Sequence, residues 1–136
     1  MKIHPVPIAL FLQILFLLGC HQEGDTTDSD FLHLFKSQQS DIQVSGSGKV
    51  IRILPDDLKG SRHQRFIIQA QPSLTLLIVH NIDIAPRING IKTGDQITFA
   101  GEYIWNDKGG LIHWTHRDPN GRHPHGWIIH QAQKYW

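Results

Sequence analysis

Hydrophobic positions change their spacing along the chain. From Val6 to Leu18 they run almost without a break, interrupted by Gln13. Phe31, Leu34 and Phe35 then recur at i, i+3 and i+4, the spacing of one helix face. Beyond residue 40, apolar and polar residues alternate, the period of strands with one buried face.

This pattern predicts a short helix over 31–39, with Asp28, Ser29 and Asp30 as candidate N-caps. A strand over 42–54 contains Gly46 and Gly48, which favour a bend or bulge. A loop over 55–60 leads into a hairpin, 64–71 and 74–80, turning at Pro72-Ser73. A longer connection, 81–93, precedes the clearest strand, 95–106. There Ile97, Phe99, Gly101, Tyr103 and Trp105 alternate with a wetter set, and only Ile104 breaks the polar side. The stretch Asp107-Lys108-Gly109-Gly110 is turn chemistry, and 111–116 is the next strand. The run Asp118-Pro119-Asn120-Gly121 fits a type I turn, and a short strand over 127–130 closes the domain. The expected fold class is mainly β: a small OB-like closed or partly open barrel of five to six strands with a short N-terminal helix. A sandwich would call for more strands.

A length of 136 residues suits one domain with one core. The apolar run 6–18 is too short for a permanent span and has the length of a signal-peptide core. It ends in Leu17-Leu18-Gly19-Cys20, and Cys20 is the chain's single cysteine. That sequence resembles the bacterial lipobox, and the resemblance implies cleavage before Cys20, acylation of its thiol and membrane attachment through lipid. The competing reading is an ordinary cleaved signal followed by a chance cysteine. The expected organisation is therefore a signal peptide over 1–19, a lipidated Cys20 and tether over 20–30, and a single domain over 31–136. The residue after Cys20 is His21 rather than Asp, which by resemblance to enterobacterial sorting favours the outer membrane, facing the periplasm. A lone cysteine also excludes an internal disulfide.

Of 13 Lys and Arg residues, one (Lys2) lies in the segment expected to be removed, which leaves 12 against 12 Asp and Glu. A neutral mature chain argues against a broad electrostatic grip on nucleic acid, though not against a local patch. Ten histidines are the outlying count. They titrate near pH 6 or bind metal.

The densest candidate chemistry is His113-x-x-His116-x-Asp118, with His123, His125 and His130 nearby. Imidazole and carboxylate suit a divalent metal ion. On a regular strand His113 and His116 face opposite sides, so sharing one ion would require a bend near Thr115. Arg62, His63 and Arg65 beside Gly60 suit a phosphate or carboxylate. His80 and Asn81 end an apolar strand, and Asp83 and Arg87 follow; that pair can brace the loop or Arg87 can join a ligand rim. Glu102 sits on the wet face of the best strand, as a general base, a partner for Arg62 or Arg65, or a solubilising charge. Trp114 is the tryptophan best placed as a surface platform, and Trp105 belongs to the buried register. P-loop, dinucleotide-binding, His-Glu-x-x-His and Cys-x-x-Cys motifs are absent from the sequence.

The blocks 54–66, 80–87 and 101–106 through 112–119 resemble a bacterial domain family of unknown function, whose members are small exported proteins. The resemblance spans about 44–130 and implies this domain type and export, with no established activity. Architecture alone is similar to OB-type barrels, and fold likeness does not assign function. The leading expectation is a lipid-anchored binding domain for a small or polyanionic ligand, held by Arg62, Arg65 and Arg87 with His63, His80, His113 and His116 around it. The rival is a metal-dependent phosphodiesterase or nuclease, with His113, His116 and Asp118 holding the ion and Glu102 activating water. A third is an envelope structural protein whose histidines tune its pH response. The oligomeric state is open.

Overall fold

The computed structural model of the chain describes residues 28–136. The expected signal peptide and the expected lipidation site Cys20 lie outside the described residues. The order of elements is α1 (Phe31–Lys36), β1 (Ile42–Asp57), β2 (His63–Gln71), β3 (Leu74–Asn81), β4 (Gln96–Ile104), β5 (Leu111–His113), β6 (Trp127–His130) and β7 (Gln133–Tyr135).

The domain is mainly β, as the alternating pattern predicts. All seven strands join one sheet in the order β1-β2-β3-β5-β4-β6-β7, and β1 also pairs with β4. That extra pairing closes β1, β2, β3, β5 and β4 into a ring. The length of β1 makes closure possible. Residues 42–49 pair antiparallel with β4, and residues 49–57 pair with β2. Glycine is required where the strand turns from one partner to the other. A Cβ on Gly46 would stand 2.7 Å from the Phe31 ring, and one on Gly48 would stand 2.8 Å from the Gln69 carbonyl. The irregularities of this strand fall beyond the glycines, at Val50/Arg52 and Leu54/Asp57, while Gly46 and Gly48 stay in regular register with β4 and serve close approach.

The alternate residues facing the ring interior form the core: Val50, Phe66, Ile68, Leu76, Ile78, Phe99, Tyr103 and Ile112 are at or near zero exposure. Helix α1 seats Phe31 against Phe99 and Tyr103, with ring centroids 5.9 and 6.4 Å apart. Its N-cap is Asp30, whose carboxylate accepts from the His33 amide at 3.0 Å. The helix is shorter than the spacing predicts, because Gln38 takes a left-handed φ of 53°. Trp105 is half-buried at the core's edge, stacked on Phe35 and donating to the Phe35 carbonyl at 3.0 Å.

Two further differences affect the site. Strand β5 stops at His113, not at 116, because Trp114 has φ 53°. The chain's last residues add β7, which pairs antiparallel with β6 and which the sequence pattern did not reveal.

Candidate functional site

The turn between β4 and β5 sets the register on which the site depends. Asn106 Oδ1 accepts from the amides of Lys108 (2.9 Å) and Gly110 (3.0 Å), and Tyr103 donates its hydroxyl proton to the Gly109 carbonyl at 3.0 Å. Gly110, at φ 105°, lies so close to the Tyr103 ring that a Cβ there would come within 2.3 Å of it. The turn thus pairs Ile104 with Leu111 and Glu102 with His113. His113 Nε2 donates to Glu102 Oε1 at 2.9 Å.

Strand β5 also runs parallel to β3, with Ile78 opposite Ile112, which brings Val79 beside His113. Across β3, Asn81 pairs with His63 of β2. These neighbours and the chain leaving β5 enclose a cleft of about 260 Å³, lined by His63, Asn81, His113, Trp114 and His116 with Val79 and Ile84.

The left-handed Trp114 turns the chain out of the sheet. Such a backbone costs a non-glycine residue about 1–2 kcal/mol, so its surroundings must hold it. Next to it, Thr115 donates its hydroxyl proton to Nδ1 of His80, 2.9 Å away; His80 Nε2 in turn donates to the Pro86 carbonyl at 2.9 Å. Burial, foremost, drives the His80 pKa down to about 4, so this ring is neutral and its tautomer is fixed by its two partners.

The loop over 115–126 then folds back. Asp118 accepts amide protons from Asn120 (2.9 Å), Arg122 (2.6 Å) and His123 (2.8 Å). Those bonds, the Asn120 one first, hold its carboxyl below the usual aspartate range. The predicted type I turn is present, with the Gly121 amide on the Asp118 carbonyl at 3.1 Å. The return brings His123 flat onto Trp114, with centroids 4.1 Å apart and an interplanar angle of 9°. His123 Nε2 also reaches Glu102 Oε2 at 2.7 Å, and its Nδ1 reaches the Pro124 carbonyl at 2.8 Å. Both partners are pure acceptors, so both bonds together require the imidazolium. Burial opposes that charge, but the Glu102 and Pro124 hydrogen bonds outweigh it and raise the His123 pKa. Glu102 mirrors this. Burial pushes it up, and its bonds to His123 and His113 pull it below the ordinary glutamate value.

One carboxylate therefore ties β4, β5 and the loop together. The site histidines are oriented as well. His116, only 4% exposed, donates from Nδ1 to the Arg117 carbonyl at 2.6 Å. In their neutral forms this leaves lone pairs on His116 Nε2 and His113 Nδ1. Neither nitrogen has a protein partner, yet no buried side-chain nitrogen or oxygen among the described residues lacks one. Both nitrogens are thus open to solvent, and both residues line the cleft.

The structure brings His63, Asn81, His113, Trp114 and His116 together, and it separates the rest of the expected site. His80 is buried beneath the cleft on Thr115 and Pro86, because its strand position points into the ring. The arginines do not converge. Arg62 pairs with Asp83 at 2.7 Å, Arg65 donates to the Pro55 carbonyl at 3.0 Å, and Arg87 pairs with Asp56. The expected Asp83–Arg87 brace is replaced by these pairs, and Glu102 takes histidines rather than Arg62 or Arg65. Asp118 binds loop amides with both its oxygens. Among the described residues, no three His, Cys, Asp or Glu side chains stand ready as a metal-holding set. The sequence placed His123 beside the His113–Asp118 cluster, around the same turn as His116 and Asp118, without assigning it a role. Nothing in its spacing announces the stack on Trp114, whereas the Glu102–His113 contact follows from counting back from the 107–110 turn.

Fold and site define a small, mainly β domain: a five-strand ring with a histidine- and tryptophan-lined cleft beside β2, β3 and β5. The chain belongs to a family described as protein of unknown function (DUF3465), whose model matches residues 14–136. No curated protein and no solved structure matches the chain.

Proposed function

We propose that the protein is an exported, periplasm-facing lipoprotein, anchored through Cys20, whose OB-like ring binds a small polar ligand in the histidine cleft. The observation that carries this reading is the pair of oriented imidazoles, His113 and His116, lining one cleft together with Trp114. Imidazoles with fixed tautomers give direction to a ligand, and a strained aromatic gives it a flat surface. The dispersed arginines favour a small ligand over an extended polyanion. The closed strand order β1-β2-β3-β5-β4, with β3 and β5 parallel, supports the OB-like description.

The test is a fluorescence titration of the full-length protein in detergent with inorganic phosphate and with acetate, at pH 6 and pH 8. A saturable change is expected, and it is absent in Trp114→Phe. A flat response to both probes at both pH values sinks the small-anion form of the reading.

A second reading, hydrolysis, is favoured by one observation. Glu102 supports His113 at Nε2 and leaves Nδ1 to take a proton from water. It predicts turnover of an activated phosphodiester that is lost in His113→Gln.

A further inference from the structure

Resting on the reading of the cleft as a binding site, we infer that its ligand is a borderline divalent transition-metal ion such as Zn²⁺ or Cu²⁺, held by His113 Nδ1, His116 Nε2 and the ring of His63.

Metal-binding imidazoles usually donate their second N–H to a carboxylate or a backbone carbonyl, which fixes the tautomer and aims the lone pair. Both forms of that support are present here. Glu102 takes the Nε2 proton of His113 at 2.9 Å, and the Arg117 carbonyl takes the Nδ1 proton of His116 at 2.6 Å. Both residues line the same cleft, and neither free nitrogen has a hydrogen-bond partner in the protein. The turn at Trp114 removes the obstacle that a straight strand would impose, since His113 and His116 no longer follow one extended path.

The third ligand is His63. It lines the cleft and makes no side-chain hydrogen bond among the described residues, so no protein partner has to be broken for its ring to turn. It stands on β2, across β3 from β5, and two strand spacings amount to about 10 Å. As the side chains stand, the three rings are not gathered; the proposed set requires the His63 ring to turn toward His113 and His116, from a strand position two residues further along β3, at Asn81 rather than Val79. An all-imidazole set selects zinc, copper or nickel over the hard cations calcium and magnesium. A protein set of three leaves a coordination position for water or a small anion, which makes the ion compatible with anion binding at the same cleft.

The experiment is calorimetric titration of the full-length protein, purified without a histidine tag, with ZnCl₂, CuCl₂ and CaCl₂ at pH 7.5. Wild type is compared with His63→Ala, His113→Gln, His116→Ala, Glu102→Gln and the exposed control His33→Ala. Near-ultraviolet circular dichroism confirms that each variant is folded. One Zn²⁺ per chain is expected, with no heat from CaCl₂. Affinity should fall at least about tenfold in each of the three cleft-histidine variants, and about 10–100-fold in Glu102→Gln, the effect typical of lost support to a ligand. His33→Ala should match wild type. His63→Ala keeps every hydrogen bond described at the site, so it tests the ligand set even if His116→Ala does not fold. Zinc binding unchanged by His63→Ala overturns the proposed set. No zinc or copper binding, with the phosphate or acetate response intact, overturns the metal inference and leaves the binding cleft standing. Loss of both responses overturns the two together.

Discussion

The hydroxyl of Thr115 lies 2.9 Å from Nδ1 of His80, deep under the loop that carries Trp114 and His116. Thr115 and His80 are both fully buried. The bond therefore links the ring interior to the residue following a strained turn. Thr115→Val keeps the shape and removes the donor, leaving His80 Nδ1 unpaired. A loss of about 1–3 kcal/mol is expected, measured by urea unfolding, with a weaker response of Trp114 fluorescence to cleft ligands.

His80 also gives stability a pH dependence whose sign is fixed. Its pKa is lowered from 6.5 to about 4, with burial the main cause, so between those values the unfolded chain binds the proton and the folded chain does not. Its share of stability is complete above pH 6.5 and is lost as pH falls toward 4, by about 3 kcal/mol. The lowered carboxyls of Asp83, Asp95 and Asp118 act at more acid pH, where their contributions are lost on protonation. Unfolding midpoints taken from pH 7 to 4 should fall in the wild type and fall less steeply in His80→Gln. Parallel curves would remove His80 as the cause.

His123 acts in the opposite sense. Its pKa is raised, so its contribution is present below the unfolded value and is lost as pH rises through the folded one. Glu102→Gln should weaken both imidazole bonds and lower stability by about 1–3 kcal/mol at pH 6, since these are charge-assisted bonds. The loss should shrink at alkaline pH. A double-mutant cycle with His123→Gln checks the pairing, and a coupling of zero at pH 6 would contradict it.

The proposed anchor is tested apart from the fold. Cells making the wild type should incorporate labelled palmitate into the protein and retain it in the membrane fraction. Cys20→Ser should abolish labelling. Label retained in Cys20→Ser would disprove attachment at that thiol.

What the sequence made legible was local. The strands 64–71 and 74–80, the Pro72-Ser73 turn and the buried set Ile97, Phe99, Gly101 and Tyr103 follow from period two and turn chemistry, and all are found within a residue or two. His113, Trp114 and His116 were equally local as a cluster, although their strand was expected to run to 116 and ends at His113. The remainder depended on tertiary geometry. Whether His80 points inward is a matter of register with β2, and where Arg62, Arg65 and Arg87 find partners depends on loops crossing one another. Nor does any local rule place a tryptophan at φ 53°, since propensity argues against it.

Gly126 gives the most direct test of how that loop is held. Its amide donates to the His116 carbonyl at 2.9 Å, and its Cα passes so close to two backbone segments that a Cβ would overlap the Trp114 carbonyl oxygen at 1.8 Å and the Ala100 carbonyl oxygen at 2.7 Å. Neither neighbour is a flexible side chain that can step aside. Gly126→Ala must therefore push the returning loop away from β4, and with it His123 from Glu102 and Trp114. The expected loss is about 3 kcal/mol, together with weaker ligand response at the cleft. Gly121 is the matched control. It lies in the same loop with open space around its missing Cβ, so Gly121→Ala meets only the strain of its φ of 63°. A small penalty of about 1 kcal/mol is expected there, with the cleft response intact. If Gly126→Ala were as mild as Gly121→Ala, close packing of the loop against Trp114 would not be what orients the cleft.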